Sequence, residues 1–295
     1  MSMQIISAGP LSTIQDSGRT GYLKSGIGTS GVMDRESYET ANRLLGNSRN
    51  EAVIEATLMG PVISFDSDCV CCITGADMSP QLDKTPVAMY RPFLIRAGQT
   101  LSLSMAVNGC RSYIGFAGGI DVPCVLGSRS TNLKCHMGGF KGRALQNGDI
   151  LSLGFTDADP SGLIHNQAAK PVFASSITVR VIEGPQAEYF TDKGKHDFYH
   201  HPYVVSPESD RMGYRMEGPA IENVNGVDIV SDGIAPGSIQ VPPSGKPIIL
   251  LADRQTTGGY AKIATVISED ISKIAQLKPG DTIVFQKVDI KQIQK

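Results

Sequence analysis

The side chains that could do chemistry in this chain fall into five polar clusters, each joined to glycine. The first is Gln15-Asp16-Ser17-Gly18-Arg19, and the second is Thr74-Gly75-Ala76-Asp77 at the end of an apolar run. The third, Ala117-Gly118-Gly119-Ile120-Asp121-Val122-Pro123, runs on to Leu126-Gly127-Ser128-Arg129-Ser130-Thr131. The fourth is Ser209-Asp210-Arg211-Met212-Gly213-Tyr214-Arg215, and the fifth is Ala252-Asp253-Arg254-Gln255-Thr256-Thr257-Gly258-Gly259-Tyr260. Glycine lets a backbone approach a ligand closely and present its N–H groups. Arginine offers a planar fork for carboxylate or phosphate. Aspartate can accept a proton, and serine and threonine add hydroxyl contacts. Together these groups suit a small anionic substrate such as an amino-acid-like carboxylate. Acid–base neighbours such as Asp16 with Arg19, Asp210 with Arg211, and Asp253 with Arg254 equally suit ion pairs that fix turns. The clusters around Arg129 and Arg254 place a lone arginine among small hydroxyls, which favours anion binding. Gln240, in the Pro-rich hairpin Ile239-Gln240-Val241-Pro242-Pro243, is a further candidate for facing a site.

The common catalytic signatures are missing. There is no G-x-x-x-x-G-K-[ST] loop, no G-x-S-x-G elbow and no H-E-x-x-H helix. Gly26-Ile27-Gly28-Thr29-Ser30-Gly31 spells G-x-G-x-x-G, but no βαβ pattern surrounds it. Cys69-Val70-Cys71-Cys72 lacks the spacing of a zinc knuckle and reads as small hydrophobes in a buried strand. The five histidines form no metal constellation, so no metal ligand is assigned.

The elements that must position these clusters are mostly strands. Short apolar segments at 62–65, 70–74, 93–95, 101–105, 112–116, 150–153, 177–182, 248–251, 261–267 and 282–285 are punctuated by glycine and proline. Two helices are expected: 35–45 capped by Asp34, and 269–277 capped by Ser268. A third, shorter one starts near Pro185 and takes in Ala187, Tyr189 and Phe190. The chain also repeats itself weakly. Ile5-Ile6-Ser7-Ala8-Gly9-Pro10 resembles Val181-Ile182-Glu183-Gly184-Pro185, and the turn 16–22 resembles 210–214. The closing segment 145–153 resembles 277–285. The expectation is therefore two related β domains, 1–155 and 176–295, joined by a polar linker at 156–175.

With 295 residues, 41% hydrophobic and 19% charged, the chain has ample material for a core. Its net charge of −2 offers no excess positive charge to attract a phosphate backbone, so no nucleic-acid partner is expected. The apolar runs are far shorter than the ~20 residues that span a bilayer, and Met1-Ser2-Met3-Gln4 lacks the pattern of a secretory signal. No membrane association is expected and the cytoplasm is the default location, where the six cysteines would stay reduced.

In these clusters, together with Thr13-Ile14, Asn42-Arg43-Leu44-Leu45-Gly46-Asn47 and Gly237-Ser238-Ile239-Gln240-Val241-Pro242, the chain resembles a known family over nearly its whole length. It is similar to the C subunit of bacterial 5-oxoprolinase, also described as KipA-like or allophanate-hydrolase-subunit-2-like, and to part of the carboxyltransferase region of urea carboxylase. The resemblance implies two tandem cyclophilin-like β-barrel domains. It also implies a complex with a subunit-B-like (KipI-like) protein and a subunit-A-like protein, opening 5-oxo-L-proline to L-glutamate with ATP and Mg²⁺ and no covalently bound cofactor. Relatives that transfer carboxyl groups from biotin, or that regulate a kinase inhibitor without turnover, supply the alternatives. The chain has no Met-Lys-Met tripeptide, so biotin would have to arrive on another chain.

The mechanism so implied makes Arg129 and Arg254 the anion clamps, and Asp77 or Asp253 the group that orients metal or accepts a proton. Thr256 and Thr257, with the Gly118-Gly119 backbone, would bond phosphate oxygens. Asp16, Arg19, Ser128, Ser130, Thr131, Arg211, Gln240 and Gln255 would complete the substrate and phosphate contacts.

Overall fold

A computed structural model of the chain describes residues 1–293. The chain is mostly β and divides into two compact units, Met1–Thr20 with Ser30–Phe173, and Gly21–Thr29 with the chain from Ala174 onward. The stretch read as a linker thus belongs to the first unit as far as Phe173. Its anchor is Leu163 in the short helix Pro160–Leu163, buried against Leu44, Leu45, Val70 and Cys72. Asn166 Nδ2 donates to the Leu44 carbonyl at 2.8 Å and the Ala168 N–H to the Tyr90 carbonyl at 3.0 Å, two bonds that hold the same stretch. Among the described residues no helix is long and apolar enough to cross a membrane.

The first unit is built from two sheets. One has the order Ile120–Asp121, Ile150–Leu153, Ser2–Ser7, Val62–Phe65, Thr100–Ser102, Gln81–Leu82, Thr85–Pro86. The other has the order Ser12–Gln15, Val53–Thr57, Asn108–Phe116, Cys69–Asp77, Phe93–Ile95. In Ser2–Ser7 the side chains alternate, with Met3 and Ile5 in the core and Gln4 and Ile6 outside. Cys69–Asp77 does not alternate, because both of its faces are covered. Cys69, Cys71 and Ile73 join Met3, Ile5 and Phe116 between the sheets, while Val70 and Cys72 pack on Leu44 and Leu45. The helix Arg35–Leu44 is capped as expected, with Asp34 accepting a hydrogen bond from the Ser37 N–H at 3.0 Å.

Burial pushes the Cys69 and Cys72 thiols up to about 12 and Cys71 well above its ordinary value. Cys110 is buried as well, whereas Cys124 and Cys135 are exposed. A thiol reagent such as dithionitrobenzoate should therefore titrate two of the six cysteines rapidly in the native protein and the rest only on unfolding. Rapid reaction of four or more native thiols would contradict this packing.

The second unit is a closed barrel with the order Ser176–Glu183, Lys262–Val266, Ser238–Gln240, Ile248–Leu250, Gly213–Glu217, Tyr203–Val205, Thr282–Lys287. Ser176–Glu183 runs parallel to Thr282–Lys287, in register from Ser176 opposite Thr282 to Val181 opposite Lys287. The corresponding strands of the first unit, Ser2–Ser7 and Ile150–Leu153, are antiparallel. The two units share sequence motifs but close differently: only the second is a closed barrel, and the first is a pair of sheets.

The helix Ser268–Ala275 begins one residue earlier than expected, and Ser268 is not its side-chain cap. Near Pro185 the chain forms a 3₁₀ turn, Ala187–Tyr189, followed by the helix Asp192–His200. Sequence periodicity missed that helix because it carries Gly194 in its interior and buries only Gly194 and Phe198.

Asp270 ties the helix Ser268–Ala275 to the barrel. Its oxygens accept bonds from the Arg180 N–H at 2.9 Å, the Arg180 guanidinium at 2.9 and 2.8 Å, and the Lys273 ammonium at 2.7 Å. Burial alone would raise its pKa, but these donors outweigh burial and push it down to about 2. A folded-state value below the unfolded one of ~3.9 means stability that is present above about pH 4 and lost as pH falls towards 2. Asp270→Asn is expected to cost about 2 kcal/mol at pH 7 and to flatten the acid limb of stability. Urea unfolding at several pH values checks this, and an unchanged acid limb would refute it.

Candidate functional site

In the first unit Asp16 organises the loop that carries Arg129. Asp16 is fully buried, and its Oδ1 accepts bonds from the Gly18 N–H at 2.8 Å, the Ser128 hydroxyl at 2.6 Å and the Ser130 hydroxyl at 2.5 Å. Its Oδ2 accepts the Arg129 backbone N–H. Leu126 and Gly127 supply the turn with φ of +53° and +77°. Arg19, also buried, donates from Nε to the Val125 carbonyl at 3.2 Å and from Nη2 to the Ser130 carbonyl. The N–H and hydroxyl of Thr131 both bond the Ile14 carbonyl at 2.9 Å. Asp16, Arg19, Ser128, Ser130 and Thr131 were expected to contact substrate. Their polar atoms instead fix this loop, because each is buried and bonded internally.

What the loop presents is the Arg129 side chain, about a third exposed (32%). Its Nε is buried without a hydrogen-bond partner, and its Nη1 lies 3.8 Å from Glu51 Oε2, an ion pair too long to be a hydrogen bond. A guanidinium held by its backbone and open at its fork suits an arriving anion. Gly119 makes room for Glu51, since a Cβ at that position would lie 2.7 Å from Glu51 Oε2. The Gly118 and Gly119 N–H groups, expected to cradle phosphate, are already used. Gly118 donates to Asn47 Oδ1 and Gly119 to the Phe116 carbonyl, each at 2.9 Å.

The Thr74–Asp77 cluster belongs to a buried network instead. The Thr74 hydroxyl donates to the Ser37 carbonyl, and the Gly75 N–H to the Tyr90 hydroxyl, both at 2.8 Å. Glu55 Oε2 accepts from Met33 N at 2.8 Å and from the Tyr113 hydroxyl at 2.9 Å, and the Arg111 Nε lies 4.0 Å from Oε1. Burial, then the Glu55 charge, pushes the Tyr113 phenol well above its ordinary value. Asp77 pairs with Lys170 at 2.6 Å and lines a cavity of about 560 Å³ with Ser79, Pro80, Gln81 and Met89. Burial raises its pKa, but the bonds from Lys170 and Ser79 outweigh that and hold it below the usual carboxylate value.

In the second unit Arg211 and Asp253, both buried, form a two-pronged pair, Nε to Oδ2 at 2.9 Å and Nη2 to Oδ1 at 3.3 Å. Asp253 was expected to accept a proton or orient a metal, and Arg211 to bind substrate. Their mutual pairing fixes the two loops instead. Arg254 donates to the carbonyls of Ile234 at 3.0 Å and Leu251 at 3.2 Å and to the Thr29 hydroxyl at 3.3 Å. No carboxylate pairs with it among the described residues, and burial lowers its pKa. Gln255, half-buried, and Thr257, exposed, make no side-chain hydrogen bond among the described residues, and the Thr256 carbonyl accepts the Ile234 N–H at 3.1 Å. Gln240 donates to the Tyr260 carbonyl at 3.1 Å.

Glu51, Asp232, Gln186 and Lys262 escaped the sequence reading. Lys262 left a legible signal, a charge inside the apolar strand Lys262–Val266, where it is buried. Among the described residues no three His, Cys, Asp or Glu side chains converge as a metal site, and the open donors suit an anion.

The chain thus combines a paired-sheet unit with a closed barrel, and both carry motif-bearing loops. The chain belongs to the family described as carboxyltransferase domain, subdomain A and B, which its residues 25–287 match. It is 37% identical over 293 residues to the C subunit of 5-oxoprolinase from Escherichia coli (strain K12), covering 99% of this chain and 93% of that one. The corresponding 5-oxoprolinase protein of Haemophilus influenzae is 38% identical over the same shares. Urea amidolyase of Saccharomyces cerevisiae is 32% identical over 96% of this chain but only 16% of its own length. The crystal structure of the K. lactis urea amidolyase superposes with a TM-score of 0.89 at 30% identity, over 98% of this chain and 19% of that one.

Proposed function

We propose that the chain is one member of an ATP-dependent 5-oxoprolinase complex that opens 5-oxo-L-proline to L-glutamate. One observation carries the reading: likeness to the C subunit of 5-oxoprolinase runs end to end in both chains, over 99% of this one and 93% of the relative. In urea amidolyase the matching region is a small part of a longer polypeptide.

The substrate is a lactam bearing a carboxylate. Its ring nitrogen donates into the carbonyl and makes it a poor electrophile, so opening needs activation, which ATP with Mg²⁺ supplies. The contribution proposed for this chain is electrostatic. Arg129, open at its fork, holds negative charge on the substrate or on the opening ring. A subunit-B-like (KipI-like) protein and a subunit-A-like protein complete the complex, in which the nucleotide binds. The family description favours a second reading, a carboxyltransferase component served by biotin on another chain.

The experiment is reconstitution. The purified chain is combined with subunit-B-like and subunit-A-like partners, and ADP release is followed on adding 5-oxo-L-proline. Release that requires all three chains and the lactam supports the reading. Carboxyl transfer from carboxybiotin instead would favour the second, and a tight complex with the subunit-B-like protein without turnover would make the chain a regulator.

A further inference from the structure

Lys262 stands at the start of the barrel strand Lys262–Val266 and is 3% exposed. A buried ammonium is costly unless it is paired. Its partners are Asp232 Oδ2 at 2.5 Å and the Gly233 carbonyl at 3.1 Å. An ammonium has three donors, so one N–H remains for another acceptor. Gln240 is the cross-strand neighbour of Lys262, and the Gln186 side chain accepts the Lys262 backbone N–H at 3.2 Å.

The counter-ion, by contrast, is not part of the barrel. Asp232 has a half-exposed side chain and lies on Asp228–Gly233, a strand in which no residue is buried. That strand pairs with Thr257–Tyr260 in a separate two-stranded ribbon, and its Val230 is almost wholly exposed. A two-stranded ribbon has little stability of its own. It seats on the barrel where Gly258, opposite Asp232 in the ribbon, leaves room for Gln240. A Cβ there would come 2.6 Å from Gln240 Nε2. A buried cation of the barrel is therefore covered by a carboxylate on the ribbon, which Gln240 also holds through its bond to the Tyr260 carbonyl at 3.1 Å.

We propose that Lys262, flanked by Gln186 and Gln240, is the binding position for the carboxylate of a small-molecule ligand, and that Asp232 occupies it in the ligand-free chain. A ligand carboxylate takes the place of Asp232, and the ribbon of 228–233 and 257–260 lifts away as it enters. The inference draws on the proposed function only for the choice of 5-oxo-L-proline as the first probe.

The test is calorimetric titration of the purified full chain with 5-oxo-L-proline, glutarate and the methyl ester of 5-oxoproline, together with hydrogen exchange of the ribbon amides. The two carboxylates should bind and the ester should not, and saturation should speed exchange across 228–233. Asp232→Ala removes the internal competitor and should tighten carboxylate binding about fivefold or more, the factor by which such an ion pair ties up its cation. Lys262→Met should weaken it more than tenfold. Asp232 is exposed enough for its alanine variant to fold, so the proposal does not depend on the lysine variant alone. An unchanged or weaker affinity in Asp232→Ala, no carboxylate binding by the wild-type chain, or unaltered ribbon exchange would each overturn it. Binding as described without lactam-dependent ADP release in the reconstituted complex would sink the proposed function and leave this site standing. ADP release with an indifferent Asp232→Ala variant would do the reverse.

Discussion

Asp16→Ala is expected to destabilise the chain by about 3–5 kcal/mol, the range for breaking a buried charged network. The carboxylate is fully buried and accepts from two hydroxyls and two backbone N–H groups. Removing it strands the Ser128 and Ser130 hydroxyls and the N–H groups of Gly18 and Arg129 in a site that water does not reach, and each orphaned group costs ~1–3 kcal/mol. The loss should appear as a fall of roughly 10 °C in the melting temperature of the first unit. Ser128→Ala, which removes a single donor, should cost no more than about 1–2 kcal/mol. A melting curve for Asp16→Ala within about 1 °C of wild type would mean that the loop is not held in this way.

Arg129→Ala is expected to behave in the opposite manner. The side chain is a third exposed, and the carboxylate it pairs with, Glu51, stands 3.8 Å away, beyond hydrogen-bond range. Its loss should therefore change stability by no more than about 0.5 kcal/mol. In the reconstituted complex, kcat/KM should fall by about 100-fold or more, the scale of losing one preorganised electrostatic contact to developing charge. Arg129→Lys keeps the charge but not the fork and should recover only part of the loss. Full activity in Arg129→Ala would remove this residue from the site, and a large loss of stability would make it a structural residue like Asp16.

That contrast marks where the sequence was readable. Ser128, Arg129 and Ser130 were legible as one candidate cluster because small hydroxyls around a lone arginine are an unusual pattern, whereas Asp16 read as part of a separate cluster with Arg19. The division of labour among them was not, since a carboxylate that binds substrate and one that ties a loop have the same local sequence. Only the partners 112 to 114 residues away decide it. The strand Cys69–Asp77 was legible as buried, because both of its faces are covered and it reads as a continuous apolar run. Asp253 and Arg254 read as a neighbouring pair, yet Asp253 pairs with Arg211, 42 residues distant. The Asp192–His200 helix stayed hidden because Gly194 and a mainly polar surface leave almost no periodic signal. The turns of the two halves read as related, but the direction of the closing strands was not legible, since hydrophobic alternation is the same in parallel and antiparallel pairs.

The parallel pairing that seals the barrel bears on the order in which this protein can be made. Ser176–Glu183 and Thr282–Lys287 are the first and last strands of the second unit, and each is missing a neighbour until the other arrives. During synthesis the earlier strands leave the ribosome with an open edge and wait for roughly a hundred residues of translation, several seconds at ~5–20 residues per second. Unpaired strand edges invite association with other chains, so this interval is when nascent copies are most prone to aggregate. A ribosome stalled before residue 282 would carry a finished first unit and an unsealed second one, whereas release past residue 287 lets the ring snap shut.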